Sequence, residues 1–225
     1  MATTGDEARA DAASAGARQP RPVALLDRRS LNLPNAITLA RLLLAGVLFV
    51  MIQVEGLWIA SAIVFVVAAA TDAIDGWIAR RYGLITTLGR ILDPFVDKII
   101  VCGAFVFLLE KNDPIQVAPE VFAASGVTAW MVIIVIGREM FVSSLRGFLE
   151  QQGLDFSASL SGKLKMFMQC VAVTASLLSL SPHFADEFFR QVRDALLWGA
   201  VLVTAWSGLV YVLRAATLLR RHARD

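Results

Sequence analysis

Four aspartates, Asp72, Asp75, Asp93 and Asp97, interrupt an otherwise apolar part of the chain. A carboxylate in the middle of a membrane span costs about 2.5–3.5 kcal/mol on insertion scales, so four near one level need something to offset their charge. Helical geometry brings them together. At 100° per residue, Asp72, Asp75, Gly76, Ala79 and Arg80 fall within an arc of about 140°, while Gly89, Asp93 and Asp97 advance about 40° per step as one stripe. A connection of about eight residues makes the two helices antiparallel neighbours, so the stripes can face each other. Converging oxygen ligands of this kind suit hard cations such as Mg2+ or Mn2+. Gly76 and Ala79 leave room for a ligand against the backbone, and Arg80 supplies a fixed charge for phosphate. A salt-bridge cluster explains the pattern poorly, because Arg80 is the single base on these faces.

The setting is a chain of 225 residues, 57% hydrophobic and 18% charged, with net charge +2 and a mean hydropathy of +0.64. Soluble domains are about 45–50% apolar and about 25% charged. The composition therefore excludes an ordinary soluble enzyme, a collagen-like fibre and a chain disordered over most of its length. The charge is too balanced to argue for nucleic acid. Cys102 and Cys170 sit inside apolar segments and read as small buried hydrophobes rather than a metal knuckle or disulfide framework. Residues 1–20 lack the apolar core of a cleavable secretory signal.

The expected fold is all-α: an integral membrane bundle of six transmembrane helices with an N-terminal interfacial amphipathic segment. Residues 1–20 read as a disordered tail, 21–34 as a juxtamembrane segment lying along the membrane surface, 35–219 as the transmembrane catalytic domain and 220–225 as a basic tail. Hydrophobic segments run at roughly 36–53, 57–79, 91–109, 119–147, 164–180 and 194–219, separated by breaks rich in Gly, Pro, Asn and Asp. The fourth is longer than a bilayer requires. Arg80, Arg81 and Arg90 mark the second break, Arg146, Lys163 and Lys165 the fourth, and Arg220, Arg221 and Arg224 the C-terminus. By the positive-inside rule both termini and these breaks face the cytoplasm, which puts the aspartates at the cytoplasmic side of the cell membrane.

The run Asp72-x2-Asp75-Gly76-x2-Ala79-Arg80-x8-Gly89-x3-Asp93-x3-Asp97 resembles the signature of the CDP-alcohol phosphotransferase family. That resemblance implies a six-helix membrane enzyme, usually a homodimer, that uses two divalent metals. It would transfer a phosphatidyl or phosphoalcohol group from a CDP-linked donor to an alcohol, releasing CMP. It further implies that Asp72, Asp75 and Asp93 are metal ligands and that Asp97 is the general base and also touches the second metal. Asp75, Gly76, Ala79, Arg80 and Gly89 would contact the CDP donor.

Other segments are similar to the branch of that family that takes CDP-diacylglycerol as donor and sn-glycerol 3-phosphate as acceptor. They are Leu33-Pro34-Asn35-Ala36-Ile37-Thr38-Leu39-Ala40-Arg41, Leu92-Asp93-Pro94-Phe95-Val96-Asp97-Lys98, Gly137-Arg138-Glu139-Met140 through Arg146, and Ser161-Gly162-Lys163-Leu164-Lys165 ahead of Gln169. Met166 departs from the branch, which commonly has Thr there. A dianionic acceptor needs clustered cationic donors, and Arg138, Arg146, Lys163 and Lys165 are the candidates. Snorkelling toward the membrane border is the bland reading of each. Asn35 and Thr38 are candidates for the nucleotide or lipid pocket. Two other readings stay open at this point: a same-family enzyme with another acceptor, and a divalent-cation transporter whose intramembrane acids line a pathway.

Overall fold

The computed structural model describes residues 33–82, 87–112, 115–118, 121–154, 160–184 and 186–222. Within these ranges it leaves aside the side chains of residues 33–37, 72–82, 87–94, 97, 115–118, 121–123, 160 and 221–222. The expected tail over 1–20, and all but the last two residues of the interfacial segment 21–34, lie outside the described residues.

Among the described residues six α-helices follow one another: α1 Leu33–Gln53, α2 Trp58–Tyr82, α3 Thr87–Glu110, α4 Ala129–Gln151, α5 Leu160–Ser179 and α6 Glu187–His222. Pro34 occupies the first turn of α1, where its missing N–H removes nothing from the helix. At the end of α4, Gly153 adopts φ +72°. Its N–H donates to the Glu150 carbonyl and the Leu154 N–H to the Leu149 carbonyl, the paired bonds of a Schellman stop. Leu154 then folds back onto the cluster of Val142, Leu149, Tyr211 and Ala215.

One expected boundary is corrected. Hydropathy ran residues 119–147 together as one segment, but helix α4 starts only at Ala129. Before it, β1 Ile115–Ala118 pairs antiparallel with β2 Val121–Ala123, in the register Ile115 with Ala123 and Gln116 with Phe122. The extended stretch that follows is threaded into the bundle and has its polar groups satisfied there. Ser125 N–H donates to the Lys111 carbonyl and Gly126 N–H to Asn112 Oδ1. Ser176 Oγ donates to the Ser125 carbonyl, and Ser179 Oγ and Arg193 Nη1 both donate to the Ala124 carbonyl. Irregular backbone inside a helical bundle needs protein partners of this kind in place of water.

The helices pack as two overlapping groups. Helix α1 lies against α2 and α3, α6 lies against α4 and α5, and α5 also reaches α2, closing the bundle. The main core joins Leu48 and Ile52 of α1, Phe65 of α2, Phe105 and Leu108 of α3, Val135 of α4, Leu177 of α5 and Leu197 of α6. Serine and threonine are also inside: Ser61, Ser176, Thr204 and Ser207 are fully buried. The outer faces are apolar instead. On α1, Leu39, Leu43, Val47 and Val50 form an outward stripe, with Leu43 66% exposed, and Trp198, Leu202, Trp206, Leu209 and Leu213 do the same on α6. A surface in water does not carry stripes of this size. Lipid does accept them, and small polar residues between helices are its usual packing material.

By length and composition, Glu187–Arg220 is long and apolar enough to cross a membrane, and shorter apolar runs cover Thr38–Gln53 and Trp58–Thr71. No charge interrupts α6 between Asp194 and Arg214, a rise of about 28 Å at 1.5 Å per residue, close to the hydrocarbon thickness of a bilayer. Cys102 and Cys170 are half-buried and not joined to each other. Trp58 is buried in the core, whereas Trp130 is 73% exposed and Trp198 and Trp206 face outward.

Candidate active site

The aspartates occupy two consecutive helices. Asp72, Asp75, Gly76, Ala79 and Arg80 lie in the last three turns of α2, and Gly89, Asp93 and Asp97 in the first three turns of α3. Residues 83–86 separate the two helices, which touch each other and so run antiparallel. Both halves of the motif therefore sit at one end of the bundle. The side chains of these eight residues, and of Asn35, lie outside the described set; among the described residues no group of three metal-binding side chains occurs.

The described chemistry at that end is basic. Lys98, the residue after Asp97, is half-buried, and its Nζ donates to Ser143 Oγ of α4. Ser143 Oγ donates in turn to the carbonyl of Glu139, one helical turn back, at 2.7 Å. Glu139 is buried, and its Oε1 accepts from Arg138 Nη1 at 3.2 Å and from Lys165 Nζ of α5. Arg138 reaches α6 as well: Nη2 donates to Ser207 Oγ at 2.7 Å, and the guanidinium carbon lies 5.3 Å above the Tyr211 ring. Glycine at position 208 lets the arginine stem pass, since a Cβ there would stand 3.2 Å from Arg138 Cγ. Among the described residues four helices thus meet around Glu139 and its two cations, with Lys98 joined through Ser143.

The four basic residues expected at the acceptor side separate into three positions. Arg138 and Lys165 meet on Glu139. Arg146 is two turns further along α4, about 12 Å at the α-helical rise, where Nη2 donates to Tyr211 Oη at 3.4 Å. Nε of Arg138 and of Arg146 is buried without a hydrogen-bond partner among the described residues. Lys163 is exposed at the rim of a lateral groove of about 690 Å³. The groove walls include Val66 and Ala70 of α2, and Phe167, Val171 and Thr174 of α5. Thr38 and Arg41 are both buried in α1.

Sequence reasoning named Glu139 only as part of the 137–146 segment, without a role, and passed over Ser143, Ser207 and Tyr211. Glu139 did leave a signal: an acid inside an apolar run, beside an arginine, asks for a partner. Lys165 being that partner depends on how α4 and α5 pack, which spacing within one helix does not report. Ser207 and Tyr211 share a face of α6 by their four-residue spacing, but small and aromatic residues are common in any span. Further from this end, Gln169 Nε2 donates to Thr204 Oγ1 at 3.0 Å and cross-links α5 to α6.

Comparison with known proteins supplies the remaining evidence. A family model described as CDP-alcohol phosphatidyltransferase matches residues 31–206. The chain is 36% identical over 194 residues to CDP-diacylglycerol–glycerol-3-phosphate 3-phosphatidyltransferase of Bacillus subtilis, covering 80% of this chain and 93% of that protein. A protein of the same name from Rickettsia typhi is 31% identical over 182 residues, covering 80% and 94%. A numbered isoform from Arabidopsis thaliana is 30% identical over 197 residues, covering 83% and 81%.

Proposed function

The chain belongs to the CDP-alcohol phosphatidyltransferase family, and on that premise we propose that it transfers the phosphatidyl group of CDP-diacylglycerol to sn-glycerol 3-phosphate. The products are phosphatidylglycerophosphate and CMP, and the protein is a phosphatidylglycerophosphate synthase of phospholipid biosynthesis. The observation that carries the acceptor is the convergence of Arg138 and Lys165 at the end of the bundle that also bears the aspartate motif. A phosphate monoester carries about −1.5 to −2 charges at neutral pH. Guanidinium and ammonium donors with N–H groups to spare beyond Glu139 fit such a group better than a neutral alcohol.

Asp72, Asp75, Asp93 and Asp97 would hold two divalent cations, Mg2+ or Mn2+. The donor set fits: four carboxylates on two consecutive helices, with no thiol or imidazole among them. Bound there, the ions supply charge neutralisation for the diphosphate and for departing CMP. The chain's own residues do the rest. Arg80 and the small positions Gly76, Ala79 and Gly89 receive the cytidine diphosphate, with Asn35 and Thr38 beside it. Arg138 and Lys165 hold the acceptor phosphate and so aim its free hydroxyl, while Arg146 and Lys163, at their separate positions, add positive charge around it. Asp97 takes the proton of that hydroxyl as its oxygen bonds to the phosphatidyl phosphorus. The phosphorus–oxygen bond to CMP breaks, and CMP leaves with the electron pair.

The same reading makes all six helices membrane spans, preceded by the surface-lying segment 21–34 and the tail 1–20, with the transmembrane domain over 35–219 and the basic tail 220–225. Both termini and the active site face the cytoplasm at the cell membrane. Apolar stripes facing outward and the Lys/Arg bias of the breaks support this. Homodimerisation rests on the family resemblance.

The experiment is an acceptor profile. Purified full-length protein in mixed micelles with CDP-diacylglycerol and Mg2+ should release CMP with sn-glycerol 3-phosphate. Release only with serine, inositol phosphate or phosphatidylglycerol would assign another acceptor and overturn the proposal.

A further inference from the structure

The acceptor-side cations are held by an acid that the reaction itself does not use. Glu139 offers one oxygen, Oε1, to two cations on different helices, Arg138 of α4 and Lys165 of α5. Its main chain takes part as well, because its carbonyl accepts from Ser143 Oγ, which accepts in turn from Lys98. A buried ion pair whose only task is to join helices is best balanced, since an unmatched buried charge is expensive. Among the described residues this cluster is not balanced: Arg138 and Lys165 share the single carboxylate of Glu139. The positive charge left over complements an anionic phosphate. Without the acid, the Arg138 guanidinium and the Lys165 ammonium would repel each other at hydrogen-bonding separation from a common point, and the flexible lysine would swing away.

We propose that Glu139 is a positioning residue that fixes Arg138 and Lys165 as one preset clamp for the phosphate of the acceptor. This rests on the acceptor reading given above. Arg138 is the rigid jaw, held on its far side by Ser207 and the Tyr211 ring. Lys165 is the adjustable jaw, and the carboxylate between them sets the spacing. Glu139 touches neither the donor nor the reacting hydroxyl, so it acts through the affinity and aim of the acceptor and leaves the donor alone.

The test compares Glu139→Gln and Glu139→Asp with wild type in the micelle assay, measuring KM for sn-glycerol 3-phosphate, KM for CDP-diacylglycerol and kcat separately. Arg138→Gln and Lys165→Gln serve as companions. Glu139→Gln should raise the acceptor KM about tenfold or more, the size expected when a charged hydrogen-bonding partner is lost. The donor KM should stay within about twofold, and Glu139→Asp should recover most of the loss. An acceptor KM that is unchanged or lower, or both KM values moving together, overturns the proposal; the latter is what a purely structural ion pair would give. If Glu139→Gln does not yield folded protein, Glu139→Asp decides alone. Its shorter side chain should raise the acceptor KM by about threefold, and a wild-type value refutes the role. If Arg138→Gln and Lys165→Gln leave the acceptor KM untouched, the acceptor reading fails and takes this proposal with it. If they raise it while Glu139→Gln does not, only the role of Glu139 falls.

Discussion

Lys98 Nζ donates to Ser143 Oγ, a bond between α3 and α4 that spans 45 positions of sequence. It ties the helix carrying Asp93 and Asp97 to the helix carrying Arg138 and Glu139. A bond between two half-buried side chains on different helices sets how far apart the two halves of the site stand.

Removing that tie should therefore damage alignment before it damages binding. Ser143→Ala is expected to lower kcat by about tenfold, from the loss of a hydrogen bond to a charged group worth about 1.5–3 kcal/mol. The donor KM should hold and Ser143→Thr should retain most of the rate. Steady-state CMP release with each substrate varied in turn checks this.

Asp97→Asn should abolish CMP release while CDP-diacylglycerol still binds. The substitution keeps the shape of the side chain and removes its capacity to take a proton. Turnover near wild type, measured alongside retention of labelled donor, would exclude Asp97 as the base.

Chelation should be equally decisive and, unlike a substitution, reversible. EDTA is expected to stop CMP release, and either Mg2+ or Mn2+ should restore it as hard cations for carboxylate ligands. Paired substitution Asp72→Asn and Asp75→Asn should leave no activity for added metal to restore.

Arg138→Lys keeps the charge but loses the planar fork that bonds Ser207 and covers Tyr211. A lysine is not equivalent at such a position. The acceptor KM should rise by about tenfold, with little change for the donor. Acceptor titrations at saturating CDP-diacylglycerol read the effect.

Gly126 sits far from this chemistry, at φ +74°, and a Cβ there would stand 2.6 Å from Arg193 Nε and 2.8 Å from Asp194 Oδ1. Gly126→Ala combines backbone strain with displacement of the arginine that holds Ala124 and Ser179. A loss of about 1–3 kcal/mol is expected. It should show as a lower unfolding temperature in detergent, with KM values unaltered at low temperature.

Much of this molecule could be read from its residues, and the exceptions share a cause. Long apolar runs bounded by Val54-Glu55-Gly56 or Gln151-Gln152-Gly153 announce helices and their stops, and the stop at Gly153 has the expected glycine conformation. The aspartate motif is legible because each half lies within one helix, where spacing converts directly into a face. The β-pair at 115–123 was not legible, because a short apolar run such as Val121–Ala123 looks the same in a strand as in a helix. Glu139 with Lys165, and Lys98 with Ser143, are contacts between helices. Their partners follow from packing, and no periodicity within one helix contains that information. Lys163 and Lys165 make the point in miniature. Two positions apart in sequence, one is exposed at the rim of a groove and the other buried on a carboxylate.

The serines and threonines buried where a water-soluble protein would place leucine carry a consequence for how the chain is built. Ser61, Ser176, Thr204 and Ser207 cannot be replaced by bulkier apolar residues without prising helices apart, yet the leucines and valines outside can be exchanged among themselves at little cost. With all six helices in lipid, as proposed, assembly is not a collapse away from solvent. It is a sorting of already formed helices by the fit of their smallest side chains, and the tolerance to substitution runs in reverse, strict within and permissive without.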